Sequence, residues 1–322
     1  MAQCGPTRIG LGSVHNIARP SKQLPSTLAD SFSPAFDVIR PALWRYPAVF
    51  NSPHSGSVYP DGLQAMTRLD PLTLRKSEDC YIDELFQGAE RLGCPLLAAR
   101  FPRVFLDVNR EPYEFDPAMF DAPLPAFVNT SSLRVVGGLG TIPRIVSESE
   151  TIYARHLTWA DANARIEQVY HPYHQTLADL IEEAQQLFGR AVLIDCHSMP
   201  SSAARLSSSR GQPRADIVLG DRYGASCDQA ITRFLETLFA DAGLSVVQNK
   251  PYAGGYITQA YGSPQTGTHS LQIEINRALY MNERTLEKTS GYEELHHILG
   301  DVLDQFVTSL GDLLNPIPVA AE

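Results

Sequence analysis

Several features are missing from this 322-residue sequence, and each absence removes a class of protein. No apolar run approaches the roughly 18–20 residues that a membrane-spanning helix needs, so no membrane partner is expected. No basic run interleaves with aromatic residues. Lys and Arg total 26 against 36 Asp and Glu, a net charge of −10, so no nucleic-acid partner is expected either. The opening stretch MAQCGPTRIG has no apolar core and does not read as a signal peptide. The five cysteines (Cys4, Cys80, Cys94, Cys196, Cys227) form no CxxC, which fits reduced thiols in a cytoplasmic protein. There is no GxSxG elbow and no HExxH helix, so neither an α/β-hydrolase serine nor that metalloprotease pattern is encoded. Internal repeats and low-complexity linkers are absent as well. One catalytic domain over 37–315 is therefore expected, with a Ser-, Pro- and Gly-rich arm at 1–36 and a tail at 316–322.

What remains is an alternation of strand-like and helix-like stretches. Ala191-Val192-Leu193-Ile194 is an unbroken apolar run, the pattern of a strand covered on both faces. Other strands are predicted at 47–51, 104–106, 216–221, 244–249 and 271–280. Helices are predicted over 72–92, 151–188, 225–242 and 285–314, where apolar residues recur at helical spacing. The order implies an α/β protein in three layers, a mixed, mostly parallel sheet with helices on both faces. Two long irregular stretches interrupt it. One is the Pro- and Gly-rich insertion 111–150, and the other is the small, polar stretch 201–215, a candidate lid.

Polar residues gather where strands should end, which is where ligands sit in open α/β sheets. His197 follows the 191–194 run, and His54 follows the strand at 47–51. Zinc hydrolases use three His or carboxylate ligands and leave one position for water, so both imidazoles are candidate ligands. Glu274 falls on the polar side of the alternating strand Leu271–Ile273–Ile275 and is a candidate base or a salt-bridge partner of Arg277. Arg110, beside Asn109, suits bidentate grip of a carboxylate, or an ion pair with Asp107 or Glu111. Arg144 and Arg277 are further carboxylate-binding candidates. Tyr256, after Gly254-Gly255, is a candidate to close over substrate. Ser198 and His197 are adjacent on a strand and point apart, so they make no nucleophile–base pair. His171, His174, His296 and His297 read as surface or capping residues.

Seven blocks, SPHSG (52–56), EDCYIDELF (78–86), DVNR (107–110), IDCHSMP (194–200), DIVLG (216–220), NKPYAGGYIT (249–258) and LQIEINRALYM (271–281), together resemble the N-formylglutamate amidohydrolase family. That family is similar in turn to the zinc carboxypeptidases and to the succinylglutamate desuccinylase and aspartoacylase group. The resemblance implies a carboxypeptidase-like fold and one zinc per chain on His54, His197 and a carboxylate. It also implies Glu274 as general base and the Asn109–Arg110 pair on a substrate carboxylate. In the relatives a Glu stands three residues after the first His; here that position is Ser57. The nearest carboxylates are Glu78, Asp79, Asp83 and Glu84, of which Asp79 is preferred and Asp83 is the alternative. The implied activity is hydrolysis of N-formyl-L-glutamate to formate and L-glutamate. Alternatives are another N-formyl or N-acyl amino acid or small peptide on the same metal site, a non-catalytic binding protein on a hydrolase scaffold, and a serine or cysteine hydrolase. Nothing in the sequence specifies an oligomeric state.

Overall fold

The computed structural model describes Met1 and residues 27–146, 150–204 and 214–314. Nine strands lie among these: β1 (Phe36–Ile39), β2 (Ala48–Ser52), β3 (Leu96–Ala99), β4 (Ile145–Val146), β5 (Glu150–Thr151), β6 (Ala191–Met199), β7 (Ile217–Gly220), β8 (Val246–Gln248) and β9 (Thr268–Asn276). Seven of them form one sheet in the order β1-β3-β2-β6-β9-β7-β8, and β4 pairs with β5 in a separate ladder. The pairs β2/β3, β2/β6, β6/β9 and β7/β8 are parallel, while β1/β3 and β7/β9 are antiparallel. The sheet is thus mixed and mostly parallel, as the alternation of elements implies.

Apolar side chains leave the central strands toward two cores. Val49, Leu97 and Leu193 face one core, with Tyr173, Leu177 and Ile181 of the helix His171–Phe188. Phe50, Leu96, Ile194 and Ile273 face the other, with Ile231 and Leu235 of Gln229–Asp241 and Leu299 and Phe306 of Gly291–Leu314. Alternate residues of one strand therefore feed opposite layers, the period of two that a pleated strand imposes. Every residue of β6 and of β9 is buried, so these two strands form the middle of the sandwich. Among the described residues no helix is long and apolar enough to cross a membrane.

Several expected elements take another form. The helix expected over 72–92 is split into Pro71–Arg75, Ile82–Phe86 and a 3-10 turn at Gln87–Glu90. Tyr81 stands at φ 67° between them, a left-handed conformation that no helix interior contains. Val104-Phe105-Leu106 is a turn, not a strand; its residues fill the core beneath the insertion. Strand β6 runs on through Asp195, His197 and Ser198 to Met199 instead of ending at Ile194. The helix expected over 151–188 begins at Trp159 and passes through a π segment at Ile166–Tyr170. The arm expected over 1–36 is packed from Ala29 onward, with Phe32 buried against Phe105 at 4.5 Å between ring centroids. Of the candidate lid, Ser201–Ala204 is a helical turn and 205–213 lie outside the described residues. Cys80, Cys94, Cys196 and Cys227 are buried free thiols, and Cys4 lies outside the described residues.

Candidate metal centre

Parallel register brings the first functional groups together. His197 on β6 is paired directly with Glu274 on β9, so both side chains rise from the same face at the carboxyl end of the sheet. His54 lies just past the end of β2. The turn that carries it needs Gly56, because a Cβ there would come within 2.1 Å of the Phe101 carbonyl oxygen. The backbone N–H of Asp79 donates to the His54 carbonyl at 3.1 Å, which docks the interrupted 76–81 linker against that turn. One ligand atom from each of His54, Asp79 and His197 lies within 4.8 Å of the others, and all three residues are buried.

The polarity of this cluster calls for a cation. His54 Nε2–H donates to Asp107 Oδ1 at 2.8 Å, and His197 Nε2–H donates to Asp195 Oδ2 at 2.9 Å. With its Nε2 so engaged, a ring that carries no second proton offers Nδ1 as a lone-pair acceptor. Both Nδ1 atoms point at the same carboxylate oxygen, Asp79 Oδ2, from 3.6 Å and 3.0 Å, and His54 Nδ1 is buried without a hydrogen-bond partner. Three acceptors converging on one point are mutually repulsive unless a proton or a metal ion stands between them. Burial alone would raise the Asp79 carboxyl, but His197, His54 and Arg277 outweigh it and hold it well below the usual carboxylate range. Burial likewise disfavours a charged His197, yet Asp195 and Asp79 together hold its pKa well above that of an ordinary histidine.

A second tier of polar residues fixes the first. Asp195 Oδ1 accepts from Asn51 Nδ2 at 2.8 Å, and Asn51 Oδ1 accepts from the Tyr173 hydroxyl at 2.6 Å. Asp107 accepts from Arg103 Nε at 2.9 Å and from the Asn109 backbone N–H at 2.9 Å. Such carboxylate–histidine pairs fix the ring tautomer and orientation at metal sites. Neither Asp107 nor Asp195 stands out in the sequence as a functional candidate. The available signal is their place two residues before a suspect, in DVN and DCH.

Glu274 lies beside the cluster. Its Oε1 accepts from Gln272 Nε2 at 2.8 Å, while Oε2 is buried and unpartnered. Burial, reinforced by Asp79, pushes its pKa up to about 7, against the lowering effects of His197, Arg103 and Arg277. The partner the sequence suggested for it, Arg277, is committed elsewhere. Arg277 donates through Nε to Ser198 Oγ, through one terminal nitrogen to the Lys76 carbonyl and through the other to Asp79 Oδ1 at 2.9 Å. It lines the cavity and holds Asp79, the one carboxylate of the His54–Asp79–His197 cluster, so three of its five N–H donors are engaged within the protein. Asp83 is outside the cluster; burial pushes its pKa up to about 6, and it lies in the first turn of the helix Ile82–Phe86 on the far side of Tyr81. Asp79 is not helical, so the four-residue spacing to Asp83 does not put the two carboxylates on one helical face.

These groups open onto a cavity of about 270 Å³. Its wall includes Arg103, Asn109, Arg110, Arg134 and Tyr252. Arg103, Arg134 and Tyr252 escaped sequence reasoning. Arg144 does not line the cavity and instead pairs with Asp116 at 2.7 Å. Tyr256 does not line it either; it starts the helix Tyr256–Tyr261 and packs against His174 at 5.8 Å between ring centroids. The tyrosine that lines the cavity from this loop is Tyr252. Gly255 is required there, since a Cβ would come within 2.4 Å of the Asn109 side chain. Asn109 in turn accepts from the Ile257 N–H at 2.8 Å and donates to Asp195 Oδ2 at 3.3 Å, so it ties the 254–258 turn to the histidine support.

His174 is a structural strut rather than a surface histidine. Its Nε2–H donates to the Val108 carbonyl at 2.8 Å, its Nδ1 lies 2.9 Å from the Tyr261 hydroxyl, and its ring stacks on Tyr261. Burial pushes its pKa down from 6.5 to about 4. The charged form is therefore refused by the folded chain and accepted by the unfolded one. Above pH 6.5 neither state is protonated and the full stability is present; it drains as pH falls toward 4. In thermal melts, His174→Gln is expected to show a lower Tm at pH 7.5 and a shallower loss between pH 6.5 and 4 than the wild type. Parallel profiles would remove His174 from the acid response.

The model of the family described as N-formylglutamate amidohydrolase matches residues 46–281. The N-formylglutamate deformylase of Pseudomonas putida is 31% identical over 273 residues, covering 83% of this chain and 92% of that one. That of Pseudomonas aeruginosa is 32% identical over 243 residues, covering 74% and 84%. The solved N-formylglutamate amidohydrolase from Ralstonia eutropha JMP134 superposes with a TM-score of 0.79 at 36% identity, over 85% of this chain and 98% of that one.

Proposed function

The chain belongs to the N-formylglutamate amidohydrolase family, and on that premise we propose that it is a zinc-dependent hydrolase converting N-formyl-L-glutamate to formate and L-glutamate. The observation that carries the reading is the convergence of His54 Nδ1, His197 Nδ1 and Asp79 Oδ2 beside a buried carboxylate, Glu274, within one arginine-lined cavity. Two imidazoles and one carboxylate with their outer hydrogen bonds satisfied form a donor set that suits zinc, with room left for a water. Zinc held there supplies Lewis acidity toward the formyl oxygen and lowers the pKa of water to about 7.

The protein groups do the remaining work. Glu274 takes a proton from the attacking water through its unpartnered Oε2. The water oxygen bonds to the formyl carbon, the C–N bond breaks, and Glu274 returns the proton to the departing nitrogen. A carboxyl with its pKa near 7 can both accept and give back that proton at neutral pH. Arg103 and Arg110 hold substrate carboxylate. Asn109 and the 254–258 turn form the wall against which the substrate rests.

A second reading keeps the site and enlarges the substrate. A further hollow of about 390 Å³ adjoins the first and shares Arg103, Arg110 and Tyr252 with it, which leaves space for a longer N-acyl group. The test is a panel of N-formyl-, N-acetyl- and N-succinyl-L-glutamate, assayed as purified, after chelation and after zinc restoration. Formyl release that vanishes with chelator and returns with zinc is expected. Chelator-insensitive turnover would overturn the metal mechanism, and faster turnover of N-succinylglutamate would favour the enlarged substrate.

A further inference from the structure

The cavity holds more cationic groups than one carboxylate requires, and they are not equivalent. Arg277 spends three of its five N–H donors on Ser198, Lys76 and Asp79. Arg103 sits beside the metal cluster: its Nε is fixed on Asp107, its charge bears on Asp79 and Glu274, and its terminal nitrogens carry no hydrogen bond among the described residues. The charges that bear on Arg110 are instead Asp107, Arg103, Arg134 and Glu114, and Arg110 and Arg134 are joined by one turn of the 111–150 insertion. Arg110 Nε donates to the Leu139 carbonyl at 3.0 Å, and the Leu139 N–H donates to the Arg134 carbonyl at 2.8 Å. Arg134 rises from the four-residue helix Leu133–Val136, which Ser132 caps. Both arginines line the cavity.

The Arg110–Arg134 pair is electrostatically unfinished. Arg134 is within ion-pair distance of Glu114 Oε2 at 3.7 Å, but no hydrogen bond reaches its guanidinium among the described residues. Glu114 Oε2 is itself buried and accepts no hydrogen bond. Arg110 shares Asp107 Oδ2, at 3.7 Å, with the closer Arg103. Burial, Arg103 and Arg134 together pull the Arg110 pKa down against Asp107. Arg110 also donates through one terminal nitrogen to the Asn109 carbonyl at 2.8 Å, and its other terminal nitrogen carries no hydrogen bond among the described residues. Two guanidinium groups with donors still open, facing one cavity and repelling each other, are stabilised by an anion placed between them.

We propose that Arg134, with Arg110, is the specificity-determining clamp for the side-chain carboxylate of the substrate, leaving Arg103 for the α-carboxylate. This assignment rests on the N-formyl amino acid reading above. Its geometry follows the substrate. The α-carboxylate is joined to the carbon bearing the scissile nitrogen and must stay near the metal centre and Glu274. The side-chain carboxylate of glutamate lies two further C–C bonds away, each about 1.5 Å, toward the insertion. The preferred class is therefore N-acylated acidic amino acids with a glutamate-length side chain. The insertion selects for the second charge, and the sheet carries the chemistry.

The test is a matrix of enzyme variants against charged and neutral side chains. Steady-state kcat/KM would be measured for N-formyl-L-glutamate and N-formyl-L-glutamine with wild type, Arg134→Gln, Arg134→Lys and Arg144→Gln. Arg134→Gln is expected to lower the glutamate-to-glutamine selectivity by about tenfold to a hundredfold, the worth of one charge-assisted hydrogen bond. Arg134→Lys is expected to recover part of that ratio, and Arg144→Gln, paired with Asp116 outside the cavity, to keep the wild-type ratio. Calorimetric binding of L-glutamate and L-glutamine supplies a readout independent of turnover. There, Arg134→Gln is expected to weaken glutamate more than glutamine. Wild type that turns over neither formyl substrate would refute the activity, while the binding arm would still judge the clamp. An unchanged ratio in both arms, or an equal loss for both side chains, would overturn the clamp and leave the activity standing.

Discussion

Glu274→Gln is expected to keep its metal and to lose about 10²–10⁴-fold in kcat, the range set by removing a positioned general base. The substitution is nearly isosteric, and the Gln272 contact at 2.8 Å can be kept by the new amide oxygen. What disappears is the basic oxygen, Oε2, which is buried with no other partner. Since β6 and β9 pair His197 with Glu274 in direct register, the backbone that carries the metal cluster stays where it is. The measurement is kcat alongside zinc content by atomic emission. Activity within tenfold of wild type would remove Glu274 from the proton path, and loss of zinc would show that it supports the ion instead.

The second large effect is on the metal itself. Asp79→Asn is expected to abolish zinc retention through dialysis against a mild chelator, because the neutral amide cannot replace the charge on which both imidazoles converge. Asp107→Asn and Asp195→Asn remove only the carboxylates behind the rings, so a smaller loss of about 10–100-fold in affinity is expected. Competition titration with a chromophoric chelator ranks the three. Asp83→Asn is the control: its carboxyl belongs to the helix beyond Tyr81, and its affinity is expected to match wild type. Should Asp83→Asn lose zinc while Asp79→Asn retains it, the assignment of the third ligand is reversed.

The proposed clamp adds a reason for the length of the 111–150 insertion. A chain that only closed the fold would not need to carry Arg134 to the cavity wall and latch Leu139 onto Arg110.

By itself the sequence determined the elements whose signal is local. Buried strands are written as uninterrupted apolar runs or strict alternation, and amphipathic helices as apolar stripes, because backbone geometry fixes those periods before any tertiary contact forms. The two histidines and Glu274 were legible for the same reason: each is a polar residue at or near the end of such a strand. Other features depended on the tertiary structure. Tyr81 breaks the expected helix with a left-handed residue, and that break, not helical spacing, lays Asp79 against the His54 turn. The arginines cannot be ranked from sequence, since identical side chains differ only in what they touch. Arg277 is committed to Asp79, Arg144 to Asp116, and Arg103 and Arg134 retain open donors. The supporting carboxylates Asp107 and Asp195 became recognisable only when partners distant in the chain, His54 and Asn51, came within hydrogen-bonding distance of them. Periodicity encodes which face of an element is buried; which polar groups meet across that buried space is set by strand register and loop docking, and those are properties of the whole chain.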